Sequence, residues 1–188
     1  MKKAKKVLKL DLGCGDNKRD GFFGIDIAKT KSTDMVRDLF KFPWPFEDNS
    51  VDEIFASHFF EHVPQKIRGK FMDEIYRILK PCEKDPNNPN IPIKGFCQFI
   101  VPYWSSMRSV QDFTHEWPPI CETSFLYFNK QWRDTNKLSH YGVKCDFDFS
   151  YAYSPDPILM TKNEVYRAEA FKSDINSIMD LNVTLMKR

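Results

Sequence analysis

An open, mostly parallel α/β sheet with an antiparallel C-terminal edge is predicted for this chain from three observations. Strand-like segments alternate with loop or helix as far as Pro102, and the first of them ends in a Gly-x-Gly turn, Gly13-Cys14-Gly15. Two further alternating segments stand far along the sequence, joined by a long excursion, as an antiparallel edge on a parallel sheet would be.

The elements follow in order. Lys6 to Leu12 alternates and is rich in branched residues, so it reads as a strand stopped by Gly13. Phe22 to Ile27 is a second short strand and Asp34 to Asp38 a third. Phe42 to Ser50 is a loop interrupted by Pro43 and Pro45, and Val51 to Ser57 is the fourth strand. Between Gln65 and Lys80 the apolar residues Ile67, Phe71, Ile75, Ile78 and Leu79 fall at helical spacing, and Pro81 ends that helix. Cys82 to Lys94, dense in proline and asparagine, reads as a surface loop. Gly95 to Val101 is the fifth strand, while Cys145 to Tyr153 and Asn182 to Lys187 are the late pair.

Composition bounds the function. The 188 residues are 41% hydrophobic and 29% charged, with no repeat and no apolar run of membrane-spanning length, which predicts one domain over residues 1–188 and no membrane partner. A net charge of +2 gives no general attraction to nucleic acid. Lys2, Lys3, Lys5, Lys6 and Lys9 crowd the N-terminus and read as a solvated leader; no apolar segment follows them in signal-peptide fashion, so the expected compartment is the cytoplasm. Cys14, Cys82, Cys97, Cys121 and Cys145 contain no C-x-x-C and read as reduced thiols.

The glycine turn carries the chemistry. Ligands of an open α/β sheet lie beyond the carboxyl ends of its strands. Gly13 and Gly15 let the backbone turn sharply and approach a ligand closely. Asp26, ending the second strand, offers two oxygens to the hydroxyls of a ribose. A dinucleotide fingerprint needs a third glycine where this chain has Lys18, and places its acidic residue farther on. Residues 16–25 are too few for a full crossover helix, so the first helix is expected to shrink to a turn. A nicotinamide-dependent oxidoreductase is disfavoured accordingly. Asp11 would accept from a ligand's amino group and would repel a pyrophosphate.

Asp11 to Gly15 with Gly24-Ile25-Asp26 resembles the first two motifs of the class I S-adenosylmethionine-dependent methyltransferases. The resemblance continues through Arg37 to Leu39, Phe46 to Ile54 and Ile78 to Pro81, and spans residues 7–104. It points to the type 11 group, including small phage-borne members with a shortened first helix. It implies a Rossmann-like fold and S-adenosylmethionine as cofactor, with residues 1–104 as the cofactor-binding half and 105–188 as acceptor loop and late strands. Carried over residue by residue, Gly13, Cys14 and Gly15 would pass under the methionine part, with Asp11 at its amino group. Asp26 and Ile27 would hold the ribose side, Asp38 and Leu39 would face the adenine, and Ser57 and His58 would lie beside the sulfonium. Many members have glycine where this chain has Asn17; asparagine tolerates a left-handed backbone, so the turn is expected to survive.

Residues His58 to His62 spell H-x-x-E-H, a pattern also found in zinc peptidases. There both histidines lie on one helix. Here strand four ends at Ser57 and the next helix starts near Pro64, so no metal is expected and a zinc hydrolase is disfavoured. The acceptor region is the segment after the fifth strand. Its Asp112…His115 pair resembles the D-x-T-H loop of related methyltransferases, which implies His115 as base or acceptor-positioning residue, Asp112 as its orienter, and His58 as a further catalytic candidate. Trp104, Phe113 and Trp117 read one by one as core cover. A small molecule or sugar, methylated on oxygen or nitrogen, fits a compact chain lacking a basic stripe better than RNA or protein does. The competing class is a cofactor-binding module without catalysis.

Overall fold

The expected sheet is present in the computed structural model, which describes residues 7–188. The leader lysines Lys2, Lys3, Lys5 and Lys6 lie outside the described residues. In chain order the elements are β1 (Lys9–Leu12), β2 (Phe23–Asp26), β3 (Met35–Val36), β4 (Glu53–Ser57), α1 (Arg68–Ile78), β5 (Glu83–Asp85), β6 (Asn88–Lys94) and β7 (Phe96–Pro102). Then come α2 (Arg108–Gln111), α3 (Lys130–Thr135), β8 (Phe147–Pro155), α4 (Glu164–Ser173) and β9 (Ile178–Lys187), with short 3-10 turns between.

A seven-stranded sheet runs β3-β2-β1-β4-β7-β9-β8. From β3 to β7 all neighbours are parallel, while β9 is antiparallel to both β7 and β8. The antiparallel edge is therefore a pair in which the final strand slots inward and β8 is outermost. Leu10 pairs with Phe23 on one side and Ile54 on the other, so β1 is central to the parallel part of the sheet.

Alternation decides which side is buried. Leu10, Leu12, Ile54, Ala56, Cys97, Phe99, Val101, Leu181, Val183 and Leu185 face one core, closed by Phe71, Met72, Ile75 and Ile78 of α1. The intervening Phe55, Gln98, Ile100, Asn182 and Thr184 are only half-buried. No helix separates β1 from β2, as the short spacing requires. The turn there lays the Arg19 guanidinium over the rings of Phe22 and Phe55, 5.2 and 4.6 Å from their centroids.

Two expectations change. Residues 82–94 form a two-stranded ribbon, β5 with β6, outside the main sheet. Proline cannot donate to a ladder but tolerates an edge, and a lone two-stranded ribbon consists of edges. Trp104, Phe113 and Trp117 are not core: they are 55%, 97% and 73% exposed.

Candidate active site

The turn after β1 folds over the end of β2. Gly13 and Cys14 both donate their N–H to the Ile25 carbonyl, at 2.8 and 3.3 Å. Gly13 and Gly15 are left-handed, with φ of +68° and +50°. A Cβ on Gly13 would come within 2.2 Å of the Phe59 ring, whereas one on Gly15 would meet nothing within 4 Å. The first glycine thus makes room for protein, and the second borders open space. Asn17 is not among the left-handed residues, so its expected tolerance goes unused.

Asp26 locks the turn to the end of β2. Its Oδ2 accepts from Gly15 N–H and its Oδ1 from Ala28 N–H, each at 2.9 Å. A carboxylate oxygen has two lone pairs, so capacity remains for a ligand hydroxyl. Asp11 is buried below the turn and accepts from Arg19 N–H at 2.7 Å. Burial pushes its pKa up, partly offset by that hydrogen bond and by the Arg19 charge. The Cys14 side chain is buried and packs toward Gly24, where an added Cβ would lie 2.8 Å from its sulfur.

The β2–β3 loop closes the same corner. Thr30 Oγ1 donates to the Gly15 carbonyl at 2.7 Å, and Ser32 Oγ to that of Asp16 at 2.8 Å. Ile27 and Val36 are 70% and 53% exposed, which places bare apolar surface beside Asp26. Asp38 is half-buried and accepts from Phe40 N–H at 2.9 Å. Leu39 is buried among core residues, and its carbonyl accepts from Trp44 Nε1.

Ser57 ends β4, and His58 follows with a left-handed φ of +52°. The next ring, Phe59, fills the space at Gly13. Phe60 is fully buried and stacks on Phe99 at 4.9 Å, anchoring the stretch in the core. His58 and His62 therefore stand on either side of a hydrophobic peg, not one above the other on a helix.

Both imidazoles reach an open cleft of about 630 Å³ lined by His58, Glu61, His62, Arg108, Asp112 and His115 among others. His58 Nδ1 is 3.5 Å from Glu61 Oε1, and its Nε2 is 4.0 Å from Asp180 Oδ1. Glu61, followed by burial acting the other way, sets the His58 pKa, and the net direction is upward. His115 lies edge-on to His62, ring centroids 4.7 Å apart. Asp112 is only within 3.8 Å of His115 Nε2; its hydrogen bonds go to Thr114, which hold its carboxyl below the usual range. The hydrogen-bond partner of His115 is the Ser109 carbonyl, at 3.2 Å from Nδ1.

Sequence reading missed three residues here. Glu61 was part of the quoted pattern but had no assigned role, and Asp180 comes from β9. Arg68, the first residue of α1, binds the carbonyls of Val63, Glu116 and Pro118, fastening the 112–118 loop to the connection between β4 and α1. No local signal marks such a residue, because its partners are carbonyls from a distant segment.

A family model described as Methyltransferase domain matches residues 22–82. No curated protein matches the sequence. Among solved structures the fold is similar to that of a SAM dependent methyltransferase from Archaeoglobus fulgidus (17% identity, 97% of this chain and 87% of that chain, TM-score 0.61). It is also similar to the Burkholderia thailandensis 1,6-didemethyltoxoflavin-N1-methyltransferase, solved with bound 1,6-didemethyltoxoflavin and S-adenosylhomocysteine (11% identity, 97% and 72% coverage, TM-score 0.56). The [4+2]-cyclase SpnF has a similar fold as well (15% identity, 96% and 75% coverage, TM-score 0.52).

Proposed function

We propose that this chain is a methyltransferase with S-adenosylmethionine as its methyl donor, and that its acceptor is a small polar molecule taken up in the cleft beyond β4. The observation that carries this reading is the position of His58, which directly follows the end of β4 beside the glycine turn and also lines the cleft. A volume of about 630 Å³ suits a small-molecule ligand, and its lining of imidazoles, carboxylates and Arg108 suits hydroxyl or amine groups.

The residues present fit the donor. Open space faces Gly15, Asp26 keeps lone pairs for a ribose, and the exposed Ile27 and Val36 offer an apolar platform for an adenine whose amine Asp38 would accept. Asp11, buried below the turn and bonded to Arg19 N–H, would favour the amino group of the methionine part through its charge and not by direct contact. Cys14 and Leu39 contribute through the backbone, since both side chains are buried. The donor supplies an electrophilic methyl group on a sulfonium.

The chain's own part is alignment and proton removal. Holding the acceptor in line across the cleft converts an encounter into a fixed geometry, worth several kcal/mol of the barrier. His58 is placed to take the acceptor's proton, steadied by Glu61 on one side and Asp180 on the other. His115, oriented by the Ser109 carbonyl with Asp112 near its outer nitrogen, positions the acceptor from the opposite wall. In this reading residues 1–104 serve the donor and 105–188 the acceptor.

The test is calorimetric titration with S-adenosylmethionine and S-adenosylhomocysteine, followed by transfer of labelled methyl to pools of small hydroxylated and amino compounds. Binding together with transfer to a small compound is expected. Binding with transfer only to RNA or protein overturns the acceptor class, and binding with no transfer at all favours a silent module.

A further inference from the structure

H-x-x-E-H does not place His58 and His62 on one metal, but folding brings a different histidine to the same spot. Glu61, His62 and His115 each offer one donor atom, and these atoms all lie within 4.8 Å of one another. The tautomers of both imidazoles can be derived. His115 Nδ1 is 3.2 Å from the Ser109 carbonyl, which only accepts, so Nδ1 carries the proton and Nε2 is bare in the neutral ring. His62 Nδ1 lies 3.2 Å from the Thr114 carbonyl and 3.1 Å from Thr114 Oγ1. The Thr114 hydroxyl spends its single proton on Asp112 Oδ1 at 2.6 Å, so toward His62 it too can only accept. His62 Nδ1 is therefore a donor twice over, and its Nε2 is bare. An Nδ1–H fixed by a carbonyl with a free Nε2 is the usual second-sphere arrangement of a metal-binding histidine.

Glu61 supplies the independent observation. Its side chain is 6% exposed, and neither oxygen accepts a hydrogen bond; only the 3.5 Å approach of His58 Nδ1 comes near. A buried carboxylate left this way carries a desolvation penalty that an adjacent cation would repay. All three side chains line the cleft.

We propose that Glu61, His62 and His115 hold a divalent cation of the zinc class, with its remaining coordination position open to the cleft. Two imidazoles and one carboxylate make up a familiar zinc ligand set, and three protein ligands with one position free are the pattern of a reactive rather than a structural site. Tetrahedral bonds of about 2.0–2.1 Å put donor atoms roughly 3.3–3.4 Å apart, so side-chain rotations of about 1 Å close the set. An oxygen of the acceptor takes the open position. This deepens the acceptor reading: His115 positions the acceptor through the metal, and His58 stays free as base. The expectation of no metal was argued from His58 and His62, a different pair of histidines.

The test uses full-length, tag-free protein stripped by chelator and titrated with Co²⁺, whose visible spectrum reports coordination, then with Zn²⁺ in competition. One equivalent with a four- or five-coordinate spectrum is expected. His62→Gln and His115→Gln should each weaken it at least about tenfold, and Thr114→Val, which removes one of the two acceptors of the His62 Nδ1–H and leaves the carbonyl, should weaken it by less than either. Asp26→Ala should keep Co²⁺ affinity while losing S-adenosylmethionine. No saturable Co²⁺ binding by folded wild type, or binding unchanged in both histidine variants, overturns the inference and leaves the methyltransferase reading intact if the donor still binds. Co²⁺ binding without any donor binding keeps the site but removes its acceptor role.

Discussion

The backbone N–H of Gly15 donates to the carboxylate of Asp26 across 2.9 Å. The turn that borders the open space and the residue assigned to the ribose are thus one hydrogen-bonded unit. Asp26→Ala is expected to lower S-adenosylmethionine affinity by about 10–100-fold, the worth of one to two charge-assisted hydrogen bonds. Asp26→Asn should lose less, since it keeps one acceptor. Calorimetric titration measures both, and an unchanged affinity in the alanine variant would remove Asp26 from the site.

Gly13→Ala meets two obstacles, the left-handed backbone and the Phe59 ring. The backbone alone costs about 1–2 kcal/mol. Adding Phe59→Ala should remove the overlap but not the backbone cost, so the double variant is expected to regain only part of the loss attributable to crowding. Urea denaturation of the four proteins resolves this; strict additivity would show that Phe59 and Gly13 are not coupled.

His58 offers a variant in which chemistry and strain separate. His58→Gly deletes the imidazole and relieves a φ of +52° that a side chain tolerates poorly. Turnover is expected to fall by roughly 10²–10⁴-fold, the usual worth of a general base. The thermal midpoint should stay near or above that of His58→Ala. Full turnover in the glycine variant would assign the base elsewhere.

Arg68 holds three carbonyls on two segments. Arg68→Met keeps an unbranched apolar side chain and removes the guanidinium, which lies over the Phe60 ring at 5.9 Å. Faster amide exchange confined to residues 112–118 is expected, with a higher acceptor KM and an unchanged donor affinity. Exchange that rises throughout the sheet would mean a global role instead.

Asp34 gives a pH dependence. Lys18 at 2.7 Å, then the Gly24 N–H, hold its carboxyl below the ordinary value in the folded protein. A depressed folded pKa contributes stability that is present above the unfolded value near 3.9 and is lost as the pH falls through the folded one. The stability gap between wild type and Asp34→Asn should therefore be flat from neutrality to about pH 5 and narrow below about pH 4. A gap independent of pH down to acid unfolding would contradict the pairing.

The glycine-turn corner was legible because its signals are local. Gly13, Gly15 and Asp26 lie in one short segment, and the missing first helix follows from the length of residues 16–25 alone. α1 was legible from its period, with Phe71, Ile75 and Ile78 buried as expected. The β5–β6 ribbon was not, because Pro89 and Pro92 argue against a strand unless its edges are known to be free. Nor was the cleft. Glu61, His115 and Asp180 come from three parts of the chain, and the packing of Phe60, the grip of Arg68 and the pairing of β9 with β7 bring them together around one cleft. Leu39 and Cys14 were named from motifs as binding residues, yet both side chains are buried, a distinction that letters do not carry.

The inward position of β9 governs the order in which the molecule can be assembled. β1, β2 and β3 pair across short spans such as Leu10 with Phe23, and such small loops close at little entropic expense. β7 can pair with β4 through Phe96 and Glu53, but its other edge waits for β9, where Phe96 meets Met186. Until β9 arrives, β7 and β8 each present an unpaired edge beside Phe99, Val101 and Phe147, the kind of surface that recruits other chains into aggregates. A version of the chain stopped after Pro155 should accordingly build a soluble cofactor corner only with difficulty, and precipitate where the full chain stays in solution.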